Sequence, residues 1–417
     1  MRAKSRLHYH SDCDFFAGCE NMLVNFFGDA RLLATYDVSF SCRWSAQYEE
    51  GLRRRVAQAP LIERPALLSG TLFTRHAARL PRPLAVLLRG LNYLLLVRYW
   101  VLLWNALVLY RAWRGRGIDL LHINNGGYPA ALSCLSAAIA AKWCGIPRVL
   151  MVVNNIAQQG RYRYWWLDRP LDHLVGNSVD VFVTGSSHAG GVLRSVLRLP
   201  QERFRTLHNG IAARGVTETP AATRARLGVA PDQMVFGMVA LLEWRKGHRV
   251  LLEAVARLPA LLGEREMPLF LIEGDGPDRD ELARLVQQLQ LARWVRFIGV
   301  ESHVFNFVVA LDVMLLPSVA NEDFPNVILE AMSLGKAVIA SSLAGTPEQI
   351  DEAITGALVP PGNSVALAQQ IATFVGTQCQ IPMGMRARAR FEQEFTASAA
   401  VARYMKLYES LLNRRMN

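Results

Sequence analysis

The chain has 417 residues, 51% of them hydrophobic and 19% charged. A single hydrophobic core stops growing at roughly 250–300 residues, so this length predicts two domains, and the apolar content excludes an intrinsically disordered chain. The formal net charge of +11 lies in the first half: residues 1–200 hold 24 Lys and Arg against 12 Asp and Glu, whereas residues 201–417 hold 22 against 23. A basic half attracts anions: a membrane surface, nucleic acid or phosphorylated ligands.

In chain order, residues 6–10 read as a first strand. The irregular stretch SDCDFFAGCENM follows, then an apolar helix over 22–27. Gly18 stands just ahead of that helix, where a backbone can closely approach a ligand. Residues 33–39 read as a second strand, and the Arg-rich stretch 49–82 gives no clear strand. Residues 84–110 form an apolar, aromatic-rich and Arg-studded helix, whose window 91–110 carries one charge in 20 residues, Arg98. That window just reaches across a bilayer, but a charge at its middle is disfavoured by about 3 kcal/mol. Three readings stay open: a buried helix that also dips into the inner leaflet, an ordinary buried helix, or a true span.

The sequence GIDLLHINNGG is a strand ending in polar residues and glycines. A helix over 130–143, a strand over 149–153 followed directly by Asn154 and Asn155, and a strand over 180–184 come next. The second half alternates more clearly, with strands at 234–240, 268–273, 295–299, 312–317, 337–341 and 357–359. Helices lie at 248–258, 280–289, 326–333, 364–375 and 397–412. This rhythm predicts βαβ units and two doubly wound parallel sheets, with ligands at the carboxyl ends of the strands.

The six cysteines (13, 19, 42, 134, 144 and 379) form no C-x-x-C pair and no zinc-type Cys/His cluster, so they read as reduced thiols. The N-terminus MRAKSRLHYH has no apolar run after its basic residues, which predicts no signal peptide and a cytoplasmic protein.

The sharpest chemical pattern is EDFPNVILE, in which Glu322 and Glu330 stand eight residues apart around a helix start. The free N–H groups and positive dipole end of that start suit a phosphate. A carboxylate two turns on can accept hydrogen bonds from a ribose diol. Lys246 precedes a helix in the same half and can reach a diphosphate as a point charge. Gly345–Glu348, the sequence GTPE, follows a later strand, and Asn209-Gly210 marks the entry to the second domain.

These residues carry a resemblance. The runs LHNGI (207–211), FGMVALLEWRKGHRVLLEAVARL (236–258), LFLIEGDGP (269–277), VRFIGV (295–300) and DVMLLPSVANEDFPNVILEAMSLGKAVIASSLAGTPEQI (312–350) resemble, in order and spacing, the family-4 retaining glycosyltransferases of GT-B fold. The resemblance implies two Rossmann-like domains facing across a cleft: an acceptor-side domain over 1–205, a nucleotide-sugar domain over 206–396, and a C-terminal helix over 397–417 that crosses back to the first. It implies that Glu322 contacts the donor sugar near the reaction centre and that Glu330 binds the ribose. Asn326 and Val327 hold the diphosphate by their N–H groups, with Phe324 in the same loop; Lys246 neutralises the diphosphate, and the backbone near Ile298 meets the base. No metal is expected, because Lys246 and the helix start supply the positive charge; Asp12-Cys13-Asp14 lies in the wrong domain for a D-x-D metal pair.

The family usually has an arginine five residues before the lysine, and Leu241 stands there. Arg245 is the nearest replacement. Phe16–Glu20 looks like the glycine-rich loop near the start of family members and puts Gly18 near acceptor and phosphate. Many members have a histidine after the strand at 149–153, where Asn154 and Asn155 stand here; asparagine can hydrogen-bond a sugar but cannot act as a base. His122 and His10 are each either buried structural groups or cleft-lining ones.

The implied function is transfer of a sugar, with retention, from a nucleotide diphosphate sugar to a hydroxyl of a lipid-linked or glycan acceptor. The setting would be lipopolysaccharide, capsule or exopolysaccharide synthesis, with the protein peripheral at an anionic inner membrane face. The alternative is a non-catalytic scaffold of the same fold at the membrane. Nucleic-acid binding has the charge but no motif, and its aromatics sit in apolar runs.

Overall fold

Apolar strands bounded by glycine and polar turns build two parallel sheets, as expected of segments buried on both faces. The structure, a computed structural model, describes residues 4–13, 16, 18–56, 60–69, 80–94, 96–158 and 165–413. The chain divides into two units, Met1–Leu207 with Val401–Asn417, and His208–Ala400.

The first unit holds β1 (Arg6–Ser11), β2 (Asp37–Cys42), β3 (Leu61–Glu63), β4 (Leu120–Asn125), β5 (Arg148–Val153), β6 (Val181–Thr184) and β7 (Phe204–Thr206) in the order β3-β2-β1-β4-β5-β6-β7. All neighbours are parallel, and the register sets Ser11 beside Asn124 and Asn124 beside Val152. The polar ends of β1 and β4 therefore lie side by side next to the end of β5, which Asn154 follows. Helix α1 (Asn21–Gly28) follows a single 3-10 turn over Gly18–Glu20.

Two sequence expectations are corrected here. The segment 33–39 is not one strand: α2 (Ala30–Thr35) takes its first part, because the Asp29 carboxylate accepts from the Arg31 and Leu32 N–H groups and caps the helix. Strand β2 begins only at Asp37, and α3 (Ala46–Arg55) and the short β3 occupy part of the stretch left unassigned.

The apolar segment 84–110 is two helices, α4 (Arg82–Leu94) and α5 (Val97–Trp113), divided at Leu96, whose φ is 51°. Helix α5 buries Val101, Leu102, Asn105, Ala106, Leu109 and Trp113. Its Asn105 side chain accepts from Leu68 N at 2.8 Å and donates to Leu68 O at 3.0 Å. It packs on α6 (Leu132–Cys144). No helix among the described residues is long and apolar enough to cross a membrane.

The second unit holds β8 (Val235–Val239), β9 (Leu269–Glu273), β10 (Val295–Gly299), β11 (Val313–Leu316), β12 (Ala337–Ser341) and β13 (Gly356–Val359) in the order β10-β9-β8-β11-β12-β13, again all parallel. Helices α7 (His248–Val255) and α8 (Asn326–Ser333) follow β8 and β11. The last helix, α9 (Ala397–Asn413), begins in the second unit and from Val401 belongs to the first. There Tyr404, Tyr408 and Leu411 are buried: the Tyr408 hydroxyl lies 3.2 Å from that of Tyr9, and Arg148 donates to Leu411 O at 2.7 Å.

Candidate active site

In the second unit a 3-10 turn over Trp244–Lys246 follows β8 and ends at Gly247, whose φ is +80°. A Cβ there would stand 1.9 Å from the carbonyl oxygen of Pro317, just past β11, so only glycine lets the turn press against that strand end. Val319 N donates to Arg245 O at 2.8 Å and locks the same contact. The consequence is electrostatic. Lys246 Nζ donates to Glu322 Oε2 at 2.6 Å, and Ser318 Oγ donates to the same oxygen at 3.1 Å. Arg245 Nη1 stands 4.0 Å from that oxygen and donates to Asn321 O at 3.1 Å, while Nη2 pairs with Glu243. The adjacent cations Arg245 and Lys246 therefore converge on one carboxylate, and Leu241, at the position where an arginine is usual, is 52% exposed.

Helix α8 starts three residues beyond Asp323, after Pro325, with no side chain capping it. The N–H groups of Asn326 and Val327 are in its first turn and have no intrahelical acceptor. Gln349 Nε2 donates to Pro325 O at 3.1 Å and fixes the helix entry. Glu330 lies one turn beyond Asn326, half-buried. Ile298 is half-buried on β10. His248 is buried behind Lys246, with neither ring nitrogen bonded among the described residues. Burial, and then the Lys246 charge, hold its pKa down to about 4, so it is neutral and leaves the positive charge to Arg245 and Lys246.

Phe324, in the loop ahead of α8, turns its ring inward. It is buried and stacks on His208 at 4.9 Å, with Phe395 at 5.9 Å. His208 in turn bonds Glu348 at 3.0 Å through Nε2. That pair went unassigned in the sequence, although LHNGI and GTPEQI contain it.

In the first unit, Asn154 is half-buried beyond β5 and donates to Asn124 Oδ1 at 2.8 Å and to Asn125 O at 3.1 Å. Asn155 is exposed and donates to Gly126 O at 2.5 Å. Gly18 is exposed, and a Cβ on it would meet nothing within 4 Å.

The cleft-lining alternative for His122 is overturned. Its ring is 1% exposed between Tyr9, Phe26 and Tyr404, Nδ1 lies 2.6 Å from the Tyr408 hydroxyl, and burial lowers its pKa to about 3. His10 is likewise internal, held by Ser41 at 2.9 Å and Ser133 at 3.1 Å. Asp12 pairs with Arg43 at 2.6 Å, and Asp14 lies outside the described residues. No group of three or more His, Cys, Asp or Glu among the described residues is arranged to hold a metal ion. Sequence reasoning also missed Glu20, buried beneath the strand ends; its partners Ser11 and Asn124 are remote in the chain, and no local signal marks it.

Two families match. Residues 221–392 match "Glycosyl transferases group 1" and residues 69–214 match "Glycosyltransferase Family 4". The N-acetyl-alpha-D-glucosaminyl L-malate synthase of Bacillus anthracis is 28% identical over 232 residues, 55% of this chain and 60% of that protein. The lipopolysaccharide core biosynthesis glycosyltransferase LpsE of Rhizobium meliloti is 29% identical over 197 residues, 47% of this chain and 56% of its own length. The chain thus spans less than two thirds of these two curated relatives. Among solved structures, Anabaena Alr3699/HepE in complex with UDP aligns over 97% of this chain and 100% of that one, with a TM-score of 0.74 at 18% identity. With two parallel-sheet α/β units, the chain has the GT-B fold, and its two units match glycosyltransferase families, "Glycosyltransferase Family 4" in the first and "Glycosyl transferases group 1" in the second.

Proposed function

We propose that this glycosyltransferase moves a sugar, with retention of anomeric configuration, from a nucleotide diphosphate sugar to a hydroxyl of a lipid-linked or glycan acceptor in surface-polysaccharide synthesis. The observation that carries the reading is the convergence of Lys246 and Arg245 on Glu322, four residues before the uncapped start of α8. Two cations and a helix start form an anion site without a metal. Here the diphosphate displaces Glu322 as the partner of Lys246, and Glu322 is released to orient the sugar and stabilise positive charge at the anomeric carbon. The leaving diphosphate takes the acceptor proton on the same face, with Lys246 stabilising its charge. Glu330, farther along α8, binds the ribose. UDP in the Anabaena neighbour makes a uridine nucleotide the first base to test.

The acceptor-side setting is an anionic membrane face. Leu84, Val86 and Leu87 on α4 and Trp100, Leu103 and Trp104 on α5 are all exposed, and Arg82, Arg111 and Arg114 are exposed beside them. Apolar and aromatic residues rimmed by arginine suit the boundary between acyl chains and anionic headgroups.

The test is product formation from a radiolabelled nucleotide sugar and a lipid extract containing glycan carriers, with wild type and Glu322→Gln in EDTA. The reading predicts a labelled lipid with the wild type and a loss of roughly 100-fold or more with the variant. Nucleotide binding without any transfer would favour the non-catalytic scaffold.

A further inference from the structure

The ends of β1, β4 and β5 are joined by a chain of side-chain hydrogen bonds that begins at Glu20. Its carboxyl group is fully buried. Ser11 Oγ donates to Oε1 at 2.8 Å, and Asn124 Nδ2 donates to Oε2 at 2.7 Å. Ser11 Oγ also accepts from Asn124 Nδ2 at 3.2 Å and lies 3.2 Å from Asn124 O, its single hydrogen going to the nearer Glu20 oxygen. Glu20 sits at the end of its 3-10 turn as the N-cap residue of α1, and its side chain makes no cap hydrogen bond.

The polarity of this chain is set whenever Glu20 is ionised. A carboxylate only accepts, so the group that Asn124 turns to Glu20 must be its amide N–H. That leaves Asn124 Oδ1 pointing the other way, where Asn154 Nδ2 donates to it. Asn154 Nδ2 has its second acceptor in Asn125 O. Both N–H groups of the Asn154 amide are thereby engaged inside the unit, and its carbonyl oxygen is the end left to face outward from the half-buried residue.

We infer that Glu20 is a positioning residue, which acts through Asn124 to make Asn154 present its carbonyl oxygen, a hydrogen-bond acceptor, to a hydroxyl of the bound substrate. The inference rests on the reading that ligands meet the carboxyl ends of these strands. A hydroxyl could come from the transferred sugar or from the acceptor; both supply the O–H donor that this oxygen requires.

The corner around Glu20 favours the role. Among the described residues its titratable neighbours are Tyr48 on α3, Cys13 after β1 and Cys42 on β2. Of the charged groups described nearby, Asp12 pairs with Arg43 at 2.6 Å and Glu49 with Arg64 at 2.8 Å. Burial pushes the Glu20 pKa up to about 7, against the hydrogen bonds from Ser11 and Asn124 that favour the charged form. A protonated Glu20 holds the Asn124 amide less strongly than a carboxylate does.

The experiment follows the side-chain amides of Asn124 and Asn154 by proton–nitrogen NMR in deuterated full-length protein from pH 6 to 8, and titrates UDP and UDP-glucose calorimetrically. In the wild type both amides shift with a common midpoint near 7, and in Glu20→Gln, which still offers Asn124 an acceptor, they stay constant. In Glu20→Leu the Asn154 amide moves to a new position. If the hydroxyl belongs to the transferred sugar, Glu20→Leu and Asn154→Ala each weaken UDP-glucose by roughly five-fold, the worth of one hydrogen bond, and leave UDP unchanged. The double variant then loses no more than Asn154→Ala alone. An Asn154 amide that responds to Glu20 with UDP-glucose binding unaltered supports the relay and assigns the oxygen to the acceptor hydroxyl.

Asn154 resonances that ignore both pH and the Glu20 substitutions would overturn the inference, and the pH series on the wild type gives that answer even if Glu20→Leu does not fold. Failure of every nucleotide sugar to bind would instead count against the proposed function, because the amide readout needs no ligand.

Discussion

Lys246 and Glu322 are each almost buried and stand 2.6 Å apart, so either one alone would be an uncompensated charge in a low-dielectric corner. Lys246→Met or Glu322→Leu should each cost about 3–5 kcal/mol of stability. The double variant should melt above both single ones; losses that simply add would show that the pair is not coupled. Arg245, which also reaches this carboxylate, is the candidate for the missing arginine. Arg245→Ala should lower UDP affinity about ten-fold, as expected for a charge-assisted hydrogen bond, and Leu241→Arg in that background should recover part of it. The residues grouped here were legible because they sit in short local patterns, EDFPNVILE and EWRKG. His122 was not, since its burial is decided by Tyr404 and Tyr408, which lie almost 300 residues farther along the chain. Glu20 was not, because the partner that gives it meaning, Asn124, is 104 positions away.

At the scale of elements, the strands were the most legible part, since runs such as VLMVV and VMLLP can only be buried strands in this alternation. Helix boundaries followed local chemistry that the apolar pattern hides. The Asp29 cap turned half of an apparent strand into α2, and Asp29→Ala should destabilise the first unit by about 1 kcal/mol, read as a lower denaturant midpoint. The left-handed residue Leu96 divided one apolar stretch into α4 and α5, a backbone event with no glycine or proline to announce it. Trp100, Leu103 and Trp104 recur at helical spacing on the exposed side of α5. Replacing both tryptophans by serine should lower sedimentation with phosphatidylglycerol vesicles at low salt and leave UDP binding intact. Equal sedimentation of wild type and variant would remove this face from the membrane reading.

For the whole molecule, acid stability should be uneven. His8, His10 and His122 in the first unit and His248 in the second are buried and held neutral, with pKa values lowered to about 3, 4, 3 and 4. Unfolding lets each take up a proton, so their contribution is complete above pH 6.5 and is lost as pH falls from 6.5 toward about 4 for His10 and His248 and about 3 for His8 and His122. Glu20 acts in the opposite sense: its pKa is raised to about 7, so the folded chain keeps a proton that the unfolded chain releases between pH 4.5 and 7. Three histidines outweigh one glutamate, and the first unit should therefore open before the second on acidification to pH 5, seen as earlier amide exchange in β1 and β4 than in β8 and β11.

The chain divides after Leu207, and α9 returns to the first unit from Val401. The central claim concerns the second unit, and calorimetric titration of UDP, GDP and ADP in EDTA into wild type and Glu330→Ala tests it most directly. The account predicts metal-independent binding of one of the three nucleotides, weakened about 10-fold in the variant by loss of the ribose hydrogen bonds. Binding of none of them, or equal binding to both proteins, would contradict it.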